Sequence, residues 1–358
     1  MSLKGLLPKP QRKVLGLDVS STAVKLLELS KSGNSYRVEA YGVMGLPEGA
    51  VVERTIKDPD AVSKCIKQLV DRTGTRVKGA AVAVSGSSVI IKRLQMPEGL
   101  SETDLESRIM VDAEQYITFP IEEVSLDFEV LGPSTREGQV DVLLVACRSE
   151  SVEALSDVVR AAGLSPQVVD VEVYALARAF VFVAPQLEAA DDANIALIDI
   201  GARSTGITII SNGSVGVPRE VNFGGHLLTD QIMHRYGLSV EEAGQAKRLG
   251  GLPDDYTSEV LTPWVDDAVE QLQSNLRNYM SSVGLSEVDY VVFSGGGAAT
   301  PGLSEAFEKR TGFSSFVSDP FSRVEFAKKI NKRALKSDAQ AMTIATGLAM
   351  WSFIDGKH

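Results

Sequence analysis

Leu15-Gly16-Leu17-Asp18-Val19-Ser20-Ser21-Thr22-Ala23-Val24-Lys25-Leu26-Leu27-Glu28-Leu29 reads as an apolar strand, an aspartate near its end, a turn of small residues and a second apolar strand. The same design returns at Ala196-Leu197-Ile198-Asp199-Ile200-Gly201-Ala202-Arg203-Ser204-Thr205-Gly206-Ile207-Thr208-Ile209-Ile210. Each segment predicts a β-hairpin whose tight turn sets a carboxylate beside free backbone N–H groups, which suits a metal-bound phosphate. One copy alone reads as a strand followed by an Asx turn. Two copies in one chain favour the phosphate reading.

The chemistry follows from the parts. Ser20, Ser21 and Thr22 in one turn and Gly201 and Ala202 in the other let backbone donors approach phosphate oxygens closely, and the hydroxyls add donors. Lys25, Arg203 and Ser204 join them as candidate nucleotide-binding residues. Asp18 and Asp199 are the candidate holders of Mg²⁺, through its waters, because Mg²⁺ dehydrates reluctantly and is usually held by one or two carboxylates plus substrate phosphates. Two such hairpins facing each other would grip a triphosphate from both sides. A third element, Val291–Leu303, runs an apolar strand into Gly295, Gly296 and Gly297 and then a helix with Pro301 near its first turn. Backbone without side chains there can pass close to a flat ligand such as adenine.

Bulk properties fit a large globular chain. At 358 residues with 44% hydrophobic content, two or three domains with sizeable cores are expected. A net charge of −11 argues against a general nucleic-acid binder, which needs clustered Lys and Arg. The 2 cysteines, Cys65 and Cys147, have no metal or disulfide spacing and fall on apolar patterns, so both are expected in the core of a chain kept reduced. His226, His234 and His358 form no zinc-site spacing. Neither a P-loop nor a kinase signature occurs, and no Ser-His-Asp or cysteine-nucleophile arrangement is found. No apolar run is long enough to span a membrane, and Met1–Lys13 is basic without an apolar signal core. Lys4, Lys9, Arg12 and Lys13 with Leu3, Leu6 and Leu7 read as a disordered tail or as a contact for an anionic leaflet.

Strands alternate with helices, an α/β pattern of two related halves. Strands near 14–18, 22–30 and 35–43 precede a helix near 58–72. The pattern restarts with strands near 194–199, 204–211 and 214–222, then helices near 225–236, 239–249 and 264–283. Trp264, Ala268, Leu272, Leu276, Tyr279 and Val283 recur at helical spacing and are expected in the core. A final helix is expected over 338–351. Between the halves, residues from about 87 to 164 read helix, strand, strand, helix, a small insert.

The order of hairpin, hairpin and glycine turn resembles the actin-like ATPase superfamily. Within it the chain is similar to the PilM family of type IV pilus assembly proteins, relatives of the division protein FtsA. Beyond the opening hairpin, the resemblance rests on Asp112-Ala-Glu-Gln-Tyr-Ile, Val169-Asp-Val-Glu-Val-Tyr-Ala-Leu-Ala-Arg, Tyr236-Gly-Leu-Ser-Val-Glu-Glu-Ala-Gly and Gly250-Gly-Leu-Pro-Asp-Asp-Tyr. It implies an actin-like fold of two halves around a nucleotide cleft, with an FtsA-like 1C subdomain. The implied boundaries are a flexible basic tail over 1–13, subdomain 1A over 14–86 and 165–190, 1C over 87–164, 2A over 191–224 and 285–358, and 2B over 225–284.

The resemblance further implies ATP and Mg²⁺ as ligands and an adaptor role at the inner face of the inner membrane. There the 1C region binds the short cytoplasmic N-terminal peptide of a PilN-like inner-membrane protein, by a sheet edge or a groove beside the insert. Glu172 is the candidate to orient water for a weak ATPase activity, with Asp170 as the alternative. A solvated glutamate favoured at a helix start explains Glu172 as well. Lys247 and Glu241 are candidates on the ribose side, although Gly244 stands where relatives carry a glutamate. Solvated surface charges are the competing account of that pair. Ser20 replaces a usual glycine. Gly224 and Gly225 are placed to approach phosphates, or simply to join two elements. A sugar-type kinase on the same fold and an FtsA-like division filament remain the alternatives.

Overall fold

The computed structural model describes residues 13–85, 89–113, 115–117 and 119–354. The basic tail up to Arg12 therefore lies outside the described residues.

The first hairpin forms as the sequence predicts: β1 (Val14–Val19) pairs antiparallel with β2 (Ala23–Ser32), Asp18 opposite Lys25. β3 (Ser35–Gly45) extends this meander. A short hairpin follows, β4 (Val51–Val52) with β5 (Thr55–Ile56). α1 (Pro59–Thr73) then starts on Asp58, whose carboxylate accepts from the Ala61 N–H, with proline in the first turn, and stops at left-handed Gly74. Its buried stripe of Val62, Cys65, Ile66, Leu69 and Val70 packs on the sheet, so Cys65 is a core residue.

β6 (Gly79–Val84) lies parallel to β1. The insert follows with β7 (Val89–Pro97), α2 (Glu102–Ala113), β8 (Val124–Pro133) and β9 (Gln139–Arg148), its strands ordered β7-β9-β8. This corrects the two-strand expectation. β7 escapes the alternation test because Lys92 and Arg93 are adjacent and both exposed, which breaks the period of two before Leu94 and Met96 resume it. α2 covers one face of this sheet through Leu105, Ile109 and Ala113.

α3 (Ser149–Ala161), read from sequence as part of the insert, packs Val158 and Val159 into the core shared with α1 and the first sheet. β10 (Ser165–Val171) completes that sheet alongside β6 and leads into α4 (Glu172–Ala179).

The second half repeats the plan. β11 (Ile195–Ile200) and β12 (Thr205–Ser211) make the second hairpin, extended by β13 (Ser214–Val215) and β14 (Arg219–Val221). The last two were expected as one strand. Pro218 has no N–H to donate and helps break the run. α5 (His226–Tyr236), α6 (Val240–Leu249) and α7 (Thr262–Ser282) follow, the last preceded by a π-helical turn over Thr257–Leu261. Trp264, Ala268, Leu272, Leu276 and Tyr279 are core, but Val283 lies past the helix end and is exposed. β15 (Tyr290–Ser294) runs parallel to β11, then come α8 (Leu303–Thr311) and β16 (Ser314–Val317).

The chain then returns to the first half. β17 (Glu325–Phe326) pairs with β3, and after α9 (Lys332–Ser337) the helix α10 (Thr343–Ala349) packs with Leu27, Leu29, Val38 and Phe182. Only 343–349 of the expected 338–351 helix is α-helical; 3₁₀ turns flank it at Ala339–Met342 and Met350–Phe353. Residues assigned by sequence to the second half thus close the core of the first.

Candidate functional site

The two hairpin turns and the glycine turn meet between the halves. Asp18 is 4% exposed and accepts a hydrogen bond from Lys25 Nζ at 2.7 Å. The Ser20 hydroxyl and N–H both donate to the Ala23 carbonyl, so this serine closes the turn. Ser21 is half-buried and Thr22 exposed, its carbonyl accepting from Leu46 N–H. On the facing side Asp199 accepts from the Ser294 hydroxyl at 2.7 Å.

Gly201 N–H closes the second turn on Ser204 O. The turn is held against the start of α5, where Gly225 N–H donates to Gly201 O and His226 N–H to Ala202 O. Gly224 is required there: a Cβ would lie 2.4 Å from Ala202 O. Gly295, at φ +82°, passes the end of β11, and a Cβ would stand 2.4 Å from Ile200 O and 2.9 Å from the Asp199 carboxylate. A Cβ on Gly297 would meet Ile200 at 2.3 Å, whereas Gly296 is exposed near Ala341. Gly295 and Gly297 therefore answer a real crowding between strand ends.

Lys247 reaches over from α6. Its Nζ donates to Gly225 O at 2.8 Å and to the Thr229 hydroxyl at 2.7 Å, both neutral groups. Burial lowers its pKa to about 8, and Arg248 adds to that, outweighing Asp230. Its proposed companion Glu241 is exposed in the first turn of α6 and Arg203 is exposed in its turn; among the described residues neither makes a contact that ties it to the cleft.

Glu172 opens α4 and faces both aspartates. Burial raises its pKa to about 7, the pull of Arg54 opposes this, and the charges of Asp18 and Asp199 reinforce it. Asp199 is likewise raised, by burial first. Lys25 would be lowered by burial, but Asp18 overcomes this and raises it. The cleft is thus a set of three close carboxylates balanced by two cations, Lys25 and Arg54. Asp170 is not part of it: its carboxylate is engaged by Arg178 and by Trp351 Nε1.

Arg54 and Glu220 escaped the sequence reading. Arg54 sits in the β4–β5 turn and donates to Glu172, to Glu220 and to the Ser204 hydroxyl. No glycine or asparagine marks this turn, and two-residue strands leave no periodicity to read.

Set side by side, these features define the class of protein: an actin-like ATPase fold of two halves with the cleft between them. The ethanolamine utilization protein EutJ of Carboxydothermus hydrogenoformans shares the fold, at a TM-score of 0.57 and 18% identity over 96% of this chain and 91% of that one. The match to the family described as type IV pilus assembly protein PilM spans residues 16–353, and the chain belongs to that family.

A solved PilM-PilN type IV pilus biogenesis complex contains a chain similar to this one, with a TM-score of 0.81 and 28% identity, covering 97% of this chain and 100% of that one. The cell division protein FtsA of Bacillus subtilis (strain 168) is 22% identical over 336 residues, 81% of this chain and 74% of FtsA. The sugar-kinase and division-filament alternatives are not favoured, since the pilus-assembly match runs the length of the fold. No helix among the described residues is long and apolar enough to cross a membrane.

Proposed function

We propose that this chain is a nucleotide-responsive adaptor of a type IV pilus assembly complex, working at the inner face of the inner membrane by binding the cytoplasmic N-terminal peptide of a PilN-like protein. The observation that carries this is the 0.81 TM-score match to a chain of a PilM-PilN complex at full coverage of that chain.

Asp18 and Asp199 have the donor chemistry Mg²⁺ takes, two carboxylates near the ends of β1 and β11. The metal, when bound, would neutralise phosphate charge between the halves. In this reading Lys25 and the backbone N–H groups of Ser21 and Ala202 hold the phosphates, Lys247 lies on the ribose side, and Gly295–Gly297 lie along the adenine. Glu172, whose pKa burial raises to about 7, then orients the attacking water and can accept its proton.

The partner's peptide has a docking place in the seam between the insert and the first half. There β9 turns Leu143 and Val145 away from α2, and they stand half-buried beside Val169 and Tyr174. β10 is the edge strand of the first sheet on the same seam, the kind of strand to which a peptide can add.

The test is a calorimetric titration of the folded protein with the N-terminal peptide of its PilN-like partner, with and without Mg-ATP. Saturable binding whose affinity changes with nucleotide, and loses that change in Asp199→Ala, is the expected result. Absence of binding in both states would overturn the adaptor reading.

A further inference from the structure

Among the described residues, Arg54 ties the β4–β5 hairpin to the far half of the molecule. Its guanidinium donates to Glu172, at the start of α4 in the first half. It also donates to Glu220 in β14 (2.9 Å from Nη2) and to the Ser204 hydroxyl (3.0 Å), both in the second half. The turn that carries it has φ of +45° at Glu53 and +63° at Arg54, a left-handed pair normally given to Asn and Gly. Burial would lower the guanidinium pKa, but Glu172 and Glu220 outweigh burial and raise it, so the group stays charged.

Ser204 belongs to the second hairpin turn, so the guanidinium already stands beside the place where that turn would hold the end of a polyphosphate chain. Next to it is a cavity of about 110 Å³ lined by Arg54, Glu172, Asp199, Glu220, Ile207 and Ile344, which gives the arginine room to move.

Resting on the nucleotide reading above, we propose that Arg54 is the residue that distinguishes a nucleoside triphosphate from a diphosphate. As the structure has it, Arg54 latches Glu172 to Glu220, and when a terminal phosphate lies at the Ser204 turn it gives up these carboxylates for bidentate contact with that phosphate. A diphosphate ends one phosphate short, and the latch stays. Release of the latch frees Glu172 to face water and removes the hairpin's tie to β14, which is how occupancy by a triphosphate would be transmitted to the relation between the halves.

Arg54→Ala, Glu220→Gln and the unaltered protein, each checked for folding by circular dichroism, are titrated calorimetrically with the Mg²⁺ complexes of ADP and of a non-hydrolysable ATP analogue. The unaltered protein is expected to favour the triphosphate by about tenfold, the worth of one strong charge-assisted contact. Arg54→Ala should lose that preference while keeping diphosphate affinity within about twofold. Glu220→Gln, which weakens the latch and leaves the arginine, should bind the triphosphate more tightly and the diphosphate as before. A preserved preference in Arg54→Ala, or an equal loss for both ligands, overturns the inference. Binding of neither nucleotide by the folded unaltered protein overturns the nucleotide reading on which it rests.

Discussion

Gly16 in β1 lies so close to Ala345 in α10 that a Cβ on the glycine would sit 1.9 Å from the Ala345 carbonyl oxygen. On its other side the same helix has Gly347, where a Cβ would fall 1.7 Å from Ala175 O of α4. α10 is therefore wedged between β1 and α4 by backbone contact, and neither neighbour is a flexible side chain that can swing aside. Gly16→Ala and Gly347→Ala are each expected to lower the unfolding free energy by about 3 kcal/mol, the upper range of overpacking, in urea titrations. A loss below about 1 kcal/mol would mean that α10 shifts freely and does not anchor the first half.

The hairpins were legible because their information is local. Strand, aspartate and small-residue turn occupy fifteen consecutive positions in each quoted segment, and Asp18 opposite Lys25 and Asp199 opposite Gly206 follow from the turn. The glycine turn was legible for the same reason. The return of the C-terminal segment was not, because the pairing of Glu325 with Arg37 is made between distant parts of the chain and leaves no periodic trace in either. Arg54 was hidden for a related reason: its partners Glu172, Ser204 and Glu220 come from three separate elements. Sequence offered Glu172 first and its near neighbour Asp170 as the alternative, and their partners separate the two.

Asp170 is a structural carboxylate. It is 7% exposed, accepts from Arg178 and from Trp351 Nε1, and Arg178 in turn stacks over the Trp351 ring and reaches Gly347 O. Asp170→Asn removes the charge that this half-buried guanidinium needs and is expected to destabilise the fold by about 3 kcal/mol, as for other broken buried pairs. Nucleotide affinity should stay within about twofold in calorimetry once the variant is held well below its melting temperature. Unchanged stability together with lost nucleotide turnover would instead make Asp170, and not Glu172, the residue that positions water.

Lys247 gives the cleft a pH dependence of known sign. Its pKa, lowered to about 8, means that the free protein loses the ammonium as pH rises through that value. The charge of a nearby polyphosphate favours the ammonium form, so nucleotide affinity should fall by up to about tenfold between pH 7 and pH 9. Lys247→Arg, charged throughout, should flatten the profile. Fold stability moves the other way: the unfolded chain holds the proton up to the ordinary lysine value of 10.5, so the lysine's contribution improves as pH rises from about 8 toward it. A flat affinity profile in the unaltered protein would remove Lys247 from the site.

The two faces of the insert sheet predict different fates for substitutions placed only a few ångströms apart. Along β9, Val142, Leu144 and Ala146 point into the core beneath α2, while Leu143 and Val145 point into the seam with the first half and remain only partly covered. Leu143→Lys adds a charge at a half-buried position, where the long stem can carry its ammonium out to water, so stability should change little. A partner peptide seated in the seam would have to bury that charge, and its affinity is expected to fall by about tenfold or more in a calorimetric titration. Met110→Lys, on the exposed side of α2, serves as the control and should leave affinity unchanged. The reverse pattern, with Met110→Lys weakening the peptide and Leu143→Lys tolerated, would move the docking site to the outer face of the insert, where strand β10 takes no part.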